Sequence, residues 1–565
     1  MKSKYLFICL LFLLFLSSLQ ASESFTNMDT ARQAMVVAAR SEAVQAGIEM
    51  MHMGGNAVDA AVAAAFVIGV VEPYASGLGG GGGILIYLSE NSDFHYLDYY
   101  VQAPAVFDTA FSSNRDRETV RSICIPGTPA GLITALQDYG RLSRSQVLQP
   151  AIRIARNGFE VNEHFFEATL EKLELILKYE RTSASFLNQS LPYMAGDTLR
   201  LPELARVLEG IAAEGSDFFY RGEFMKKVVS EIQQHGGTIS ADDFTGYQVL
   251  KKSPVSIDYR NYQIYSAAPP QSGVTLLEIL EMVEQRPSEQ WKEFQEDAFS
   301  VMSLTEIIRR ADADRYAFLG DPRFSPVPLA GLLHTDYLRQ RFLDTGITDS
   351  SIERRSEVLA GDPWMYQEKS MPAEEMIEEE VDAPHTTHIS VIDEQGNMVS
   401  LTQTLGFFFG SGFSMDGVVF NSGMTNFSRR GINRAEPGKR PRSTISPSII
   451  LRESQPFAVL GTPGGGTIFN TMAQLIIRLI DLQDSPQDAV YAPRFSTRVS
   501  ASNITLEDRF NQDVLDTLQE YGYEIKLTSP FEIYLGGVQL IYYDTGINAF
   551  IGVSDPRRGG VAGGF

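Results

Sequence analysis

Cysteine is almost missing from this chain: two residues in 565. That excludes a disulfide scaffold and a cysteine-rich zinc domain. Histidine is scarce too, and none of the seven sits in a His-Glu-x-x-His zinc pattern. Basic residues are in deficit, 47 Lys+Arg against 70 Asp+Glu, which gives a net charge of −23. Such a polyanion is a poor partner for nucleic acid or an anionic membrane surface. There is no Walker loop and no Gly-x-Ser-x-Gly elbow, so neither P-loop chemistry nor elbow-type serine hydrolysis has a foothold. No internal repeat is present, and no motif asks for a cofactor or a metal. Beyond the N-terminus no apolar run reads as a membrane helix. What remains is ordinary globular composition, 44% hydrophobic and 21% charged. The length allows several domains or one large layered one.

At the N-terminus, Lys2 and Lys4 precede the apolar run Tyr5–Leu16, then Ser17, Ser18 and Ala21. This is the residue order of a secretory signal. At ~1.5 Å per residue the run is too short to cross a ~30 Å hydrocarbon core as a stable anchor. Residues 1–21 therefore read as an export signal cut near Ala21–Ser22, directing the protein to the periplasm or the medium; an uncleaved anchor is the alternative. Removing the signal removes Cys9 and leaves Cys124 alone, so no intrachain disulfide can form.

Arg40–Met53 carries apolar residues at helical spacing, and Gly54-Gly55-Asn56 reads as a stop followed by a new start. Ala57–Val71 is apolar on nearly every face, which puts a helix inside a large protein. Gly77, Gly79 and Gly82 match the spacing of a dinucleotide fingerprint, but there a strand must precede and a helix follow. Here the order is reversed, so the run reads as a place where backbones pack closely. Ser143 and Gln146 form a capping-box pattern for a helix that stops at Asn157-Gly158. An acidic run from Glu374 to Asp382 reads as a solvated segment. From Thr387 onward the chain turns to β-branched residues, glycines and alternating strands.

His388–Ile392 and Met398–Thr404 both alternate as strands do, and Asp393–Asn397 is a turn cluster, so the segment reads as a β-hairpin. With the loop centred on Gln395, residue 392 faces 398, and Thr386 faces Thr404. A hydroxyl needs a base to act as a nucleophile at neutral pH. If a chain is cut just before a threonine, the new α-amino group, with a reference pKa of ~7.7–8.0, supplies that base. His385–Thr386 lies behind the acidic run and at a strand start, where such a cut is feasible. The plain alternative is a threonine that merely begins a strand. His388, two residues on, reads as structural.

These residues belong to an ordered series that resembles the gamma-glutamyltransferase (glutathione hydrolase) family. The series includes Gly54-Gly55-Asn56-Ala57-Val58-Asp59, Val71-Glu72-Pro73 with the glycine run, and Pro126-Gly127-Thr128-Pro129. It continues through Ala313-Asp314-Arg315, Thr386-Thr387-His388, Lys439-Arg440-Pro441 and Gly461-Thr462-Pro463-Gly464-Gly465, and closes at Asp555-Pro556-Arg557-Arg558-Gly559-Gly560. The resemblance implies an α+β fold, a four-layer αββα sandwich of the N-terminal-nucleophile hydrolase type. It implies a precursor that cuts itself before Thr386 into a large subunit of residues 22–385 and a small subunit of residues 386–565, which stay together as a heterodimer. Thr386 would attack a γ-linked amide such as that of glutathione and pass the acyl group to water or an amine. Thr404 would hold the Thr386 hydroxyl, backbone N–H groups at Gly464 and Gly465 would stabilise the oxyanion, and Ser443 and Thr444 would grip the substrate carboxylate.

The departures from the family pattern fall in glutamate recognition. Tyr100 stands where the family has an arginine, and tyrosine cannot offer a bidentate cation. Gly406 and Gly423 replace amide side chains, and Asn426 replaces an aspartate that receives the substrate amine. Arg429, Arg430, Arg434 or Arg442 either supplies a replacement cation or belongs to a solvated loop. The expected activity is therefore amide hydrolysis or transfer. The alternatives are an acylase or a poly-γ-glutamate-type enzyme on the same scaffold and, from another class, a non-catalytic exported binding protein.

Overall fold

The structure, a computed structural model, describes residues 26–348, 351–352, 357–368, 385–499 and 503–565. The expected signal at 1–21 and the acidic run at 374–382 lie outside the described residues. So does the segment that precedes His385.

Two seven-stranded sheets, antiparallel throughout, form the centre. The first runs Val561–Gly564, Met35–Ala38, His385–Ile392, Met398–Gly406, Gly81–Leu88, Asp93–Tyr99 and Leu250–Lys252. The second runs Met28–Ala31, Ala549–Ser554, Gln539–Asp544, Gln455–Gly461, Ser448–Arg452, Tyr262–Ser266 and Val255–Tyr259. The first sheet is apolar on both faces because both are covered. Val36, Ala38, Ile84, Ile86, Ile389 and Val391 pack into one core, with helices Ser41–His52 and Ala57–Val71. Their neighbours Met35, Val37, Leu85, Tyr87 and Ile392 pack into the other, between the sheets and under helices Gly273–Glu284, Ala298–Phe318 and Ile468–Ile480. Strand side chains alternate between faces, so one strand serves both cores. The result is the four-layer helix–sheet–sheet–helix arrangement.

Ala57–Val71, with Asp59 its one charged residue, is a buried helix opened by a reciprocal capping box between Asn56 and Asp59. The Ser143–Gln146 capping box is present as well. The glycine run is half strand: Gly81, Gly82 and Gly83 pair with Thr404, Gln403 and Thr402. Both strands of the hairpin are bordered by segments from far earlier in the chain, Met35–Ala38 and Gly81–Leu88. Chain segments before and after His385 thus share one sheet.

Candidate active site

The hairpin has the register that its loop length predicts. Ile392 pairs with Met398, and Thr386 pairs with Thr404. The turn is fixed by Asp393. Its Oδ1 accepts from the Gln395 and Asn397 N–H groups at 3.0 and 2.9 Å, and its Oδ2 accepts from the Ala57 N–H at 2.8 Å, tying hairpin to helix. A register shift lies between His385 and Thr386. Such a bulge re-aims the backbone, and its consequence falls on the bond of interest. The Thr404 hydroxyl donates to the carbonyl oxygen of His385 at 2.6 Å and accepts from the Gly406 N–H at 2.9 Å. Thr404 was expected to hold the Thr386 hydroxyl; in the uncut chain it holds the carbonyl that precedes Thr386.

Thr386 is buried, and its own carbonyl accepts from Arg558 Nη2 at 2.8 Å. Arg558 is aimed by the turn Asp555–Arg558, which a buried ion network anchors. Arg557 pairs with Glu507 at 2.7 Å and with Asp555 at 3.0 Å, and Arg494 pairs with Asp555 at 2.6 Å. Burial alone would raise the Asp555 carboxyl, but Arg494 and Arg557 hold it below the usual range. On the opposite face of the strand, the Thr387 hydroxyl donates to Glu72 at 3.3 Å, and Tyr74 donates to the same carboxylate at 3.0 Å. Sequence reasoning missed Arg558 and Glu72. Both lie in the quoted motifs, but no periodicity marks what they touch.

The two histidines are not poised as bases. The His388 ring meets the Thr402 hydroxyl at 2.8 Å and the Ser390 hydroxyl at 3.2 Å, and burial pushes its pKa down to about 3. It is a structural residue, as the sequence suggested. His385 stacks on Phe408 with ring centroids 3.3 Å apart, and burial again drives its pKa down.

The expected oxyanion loop follows strand Gln455–Gly461. Gly464 has φ +142° and Gly465 φ +57°, a backbone that glycine permits. A Cβ on Gly464 would come within 2.5 Å of Thr467 Oγ1. Among the described residues, neither glycine N–H has an acceptor. Buried backbone donors are nearly always paired, so two unpaired ones suit an anion.

Of the expected recognition residues, the structure brings Tyr100 and Asn426 together: the Asn426 amide donates to the Tyr100 hydroxyl at 2.8 Å. Tyr100 is placed by buried Asp98, which accepts from the Tyr100 N–H at 2.9 Å and pairs with Arg440 at 2.7 Å. Ser443 is tied by its backbone to the 270–272 loop. The Ser443 N–H donates to Pro270 O at 3.1 Å, and its carbonyl accepts from Ser272 Oγ at 2.8 Å. Arg442 corrects both readings offered for it. It is buried and donates to the carbonyls of Arg315, Tyr316 and Leu319, so it serves neither the substrate nor a solvated loop. Arg429, Arg430 and Arg434 are exposed. Cys124 is a free, buried thiol. Among the described residues no cluster of metal-ligating side chains exists, and no helix is long and apolar enough to cross a membrane.

Comparison with known proteins agrees with this geometry. The family model for gamma-glutamyltranspeptidase matches residues 43–565. The chain is 34% identical over 563 residues to the glutathione hydrolase proenzyme of Bacillus subtilis (strain 168), spanning 96% of this chain and 93% of that protein. It is 31% identical over 527 residues to the capsule biosynthesis protein CapD proenzyme of Bacillus anthracis, spanning 93% and 89%. Among solved structures it resembles the cephalosporin acylase from Bacillus halodurans, with a TM-score of 0.84 at 25% identity over 97% of this chain and 98% of that one. The fold is accordingly the αββα sandwich of the N-terminal-nucleophile hydrolases, and the chain belongs to the gamma-glutamyltranspeptidase family, a family of hydrolases and acyl transferases.

Proposed function

We propose that this protein is an exported, self-cleaving amidohydrolase whose nucleophile is Thr386. The observation that carries this reading is the 2.6 Å hydrogen bond from the Thr404 hydroxyl to the His385 carbonyl. A donor on that oxygen polarises the bond to be cut and steadies the charge that develops on it. Thr386 Oγ attacks the His385 carbonyl carbon, the C–N bond breaks, and the acyl group passes from nitrogen to oxygen. Water then hydrolyses the ester. The products are the large subunit of residues 22–385 and the small subunit of residues 386–565, which the shared sheet keeps together. The freed Thr386 α-amino group becomes the base. In turnover Thr386 Oγ attacks a substrate amide, the N–H groups of Gly464 and Gly465 receive the oxyanion, and the amine leaves with a proton. Water or a second amine takes the acyl group from Thr386.

Glutathione is the first substrate to test, since the B. subtilis relative is a glutathione hydrolase proenzyme. A second reading rests on the neutral Tyr100–Asn426 pair. A pair without charge favours an acyl group lacking one of the two charges of a free γ-glutamyl head. The likeness to a cephalosporin acylase and the relationship to a capsule biosynthesis proenzyme point the same way.

The test is intact mass of the wild type and of Thr386→Ala, followed by assay of the wild type with glutathione. Two chains divided at His385–Thr386 in the wild type alone, with release of glutamate, are expected on the first reading. Division without glutathione turnover selects the second. An undivided wild type would overturn both.

A further inference from the structure

The stretch that follows Thr404 makes a second contact with the residue before Thr386. Gly406 pairs with His385 and takes φ +90°, a left-handed turn that glycine permits. Phe407 and Phe408 come next. The Leu405 N–H donates to Ala75 O at 3.0 Å and the Phe409 N–H to Tyr74 O at 2.9 Å, so the backbone on both sides of Phe408 is tied to one distant segment. The Phe408 ring lies edge-to-face against Tyr74, with centroids 5.5 Å apart and planes at 75°. Tyr74 is held in turn by its hydrogen bond to Glu72 at 3.0 Å. Phe408 is therefore a buried shelf of set position.

The His385 ring lies flat on that shelf, with centroids 3.3 Å apart and planes at 14°. Tyr534 and Phe407 stand at its sides, 5.9 and 6.5 Å away. His385 is buried, and among the described residues its Nδ1 has no hydrogen-bond partner. Buried polar atoms are mostly paired; here stacking holds the imidazole in place of a bond to Nδ1. Burial, then the charges of Arg558 and Lys172, keep the ring neutral. A side chain locked at its ring fixes the torsions that lead back to its own Cα. One short stretch thus grips His385 twice: Thr404 Oγ1 holds its carbonyl at 2.6 Å, and Phe408 holds its ring. A hydrogen bond leaves the peptide free to swing about the bond's axis, and the stack blocks that swing.

We propose that Phe408 is a positioning residue for self-cleavage: by stacking on His385 it holds the carbonyl carbon of the His385–Thr386 bond within reach of Thr386 Oγ. The inference rests on the Thr386 reading above. In that step the bond from Oγ to the His385 carbonyl carbon forms, the C–N bond breaks, and the Oγ proton passes to the leaving nitrogen. Phe408 takes no part in these bonds. Its contribution is the orientation of the carbonyl before attack, which the rate of an intramolecular reaction reports directly.

The test follows self-cleavage by intact mass during cell-free synthesis of the full chain. His385→Ala and Phe408→Leu are each expected to slow it about five- to tenfold, the worth of one aromatic pair. His385→Phe and Phe408→Tyr keep a flat ring and are expected to stay within about threefold of wild type. The double variant His385→Ala/Phe408→Leu is expected to be about as slow as either single one, because both remove the same contact. A wild-type rate in either single variant, or losses that multiply in the double one, would overturn the proposal. So would a His385→Phe chain as slow as His385→Ala, since the role would then belong to the ring nitrogens. Denaturation midpoints in the uncut Thr386→Ala background identify a Phe408 variant that is slow because it is unfolded, and the two His385 variants then decide. An uncut wild-type chain would overturn the Thr386 reading and this inference with it. A wild type that cuts while the pair proves uncoupled would overturn this inference alone.

Discussion

The hydroxyl of Thr404 donates to the carbonyl oxygen of His385 across the hairpin, at 2.6 Å. One side chain thereby grips the carbonyl group of the peptide bond before Thr386. Cross-strand pairing at residues 386 and 404, together with the bulge that begins at 385, produces that contact.

Thr404→Val removes this donor while keeping the shape of the side chain. Self-cleavage is expected to slow by ~10²–10³, the usual cost of one oxyanion donor. Thr404→Ser keeps a hydroxyl and is expected to stay within about tenfold of wild type. A time course of intact mass checks both.

Arg558 is buried against the Thr386 carbonyl. Arg558→Gln weakens that contact and leaves polar groups short of partners. In the uncut Thr386→Ala background it is expected to lower stability by ~1–3 kcal/mol. A denaturation midpoint measured there separates stability from processing.

Gly464 occupies a backbone region closed to other residues, and a side chain there meets Thr467. Gly464→Ala is expected to displace the loop and reduce kcat by ~10² or more, with a smaller change in KM. Steady-state kinetics on any turned-over amide decides it.

Asn426→Asp puts a carboxylate beside the Tyr100 hydroxyl. A charge-assisted contact to a substrate ammonium is worth ~1.5–3 kcal/mol, so the variant is expected to favour γ-glutamyl over glutaryl donors by at least ~10-fold relative to wild type. Matched nitroanilides measure the ratio.

His388 titrates near pH 3 when folded, because burial disfavours its charged form. Unfolded, it titrates near ~6.5. Its folded pKa is the lower one, so below pH ~6.5 the unfolded state binds the proton first. Stability is expected to be unaffected by this group above pH ~6.5 and to fall as pH drops toward the folded value, by up to ~1.4 kcal/mol per pH unit. His388→Asn should remove that slope from the stability–pH curve at some loss of overall stability. Urea midpoints across the range test it.

Much of this architecture was legible in local pattern. Helix Ala57–Val71 needed only its long apolar run with the single charge Asp59, and the capping box at Ser143–Gln146 only its spacing. The hairpin register followed from a five-residue turn and a period of two, because a one-residue slip would exchange the faces of the whole strand. Even the pairing of Thr386 with Thr404 was within reach of counting. Motif order carried the family, since glycines, prolines and charged residues recur where the backbone tolerates little else.

The tertiary structure alone decided which groups meet from distant parts of the chain. Arg558 and Thr386 are 172 positions apart, and Asn426 and Tyr100 are 326 apart. No periodicity spans such gaps; two stacked sheets and a buried ion network close them. The register shift at His385–Thr386 likewise accompanies the Thr404 bond to the His385 carbonyl, a backbone feature that no residue type announces. Arg442 looked like a loop cation in sequence. It became a buried clamp on helix Ala298–Phe318 because the fold left those carbonyls facing it. Local spacing sets the elements, and dense packing between them sets which side chains share a site.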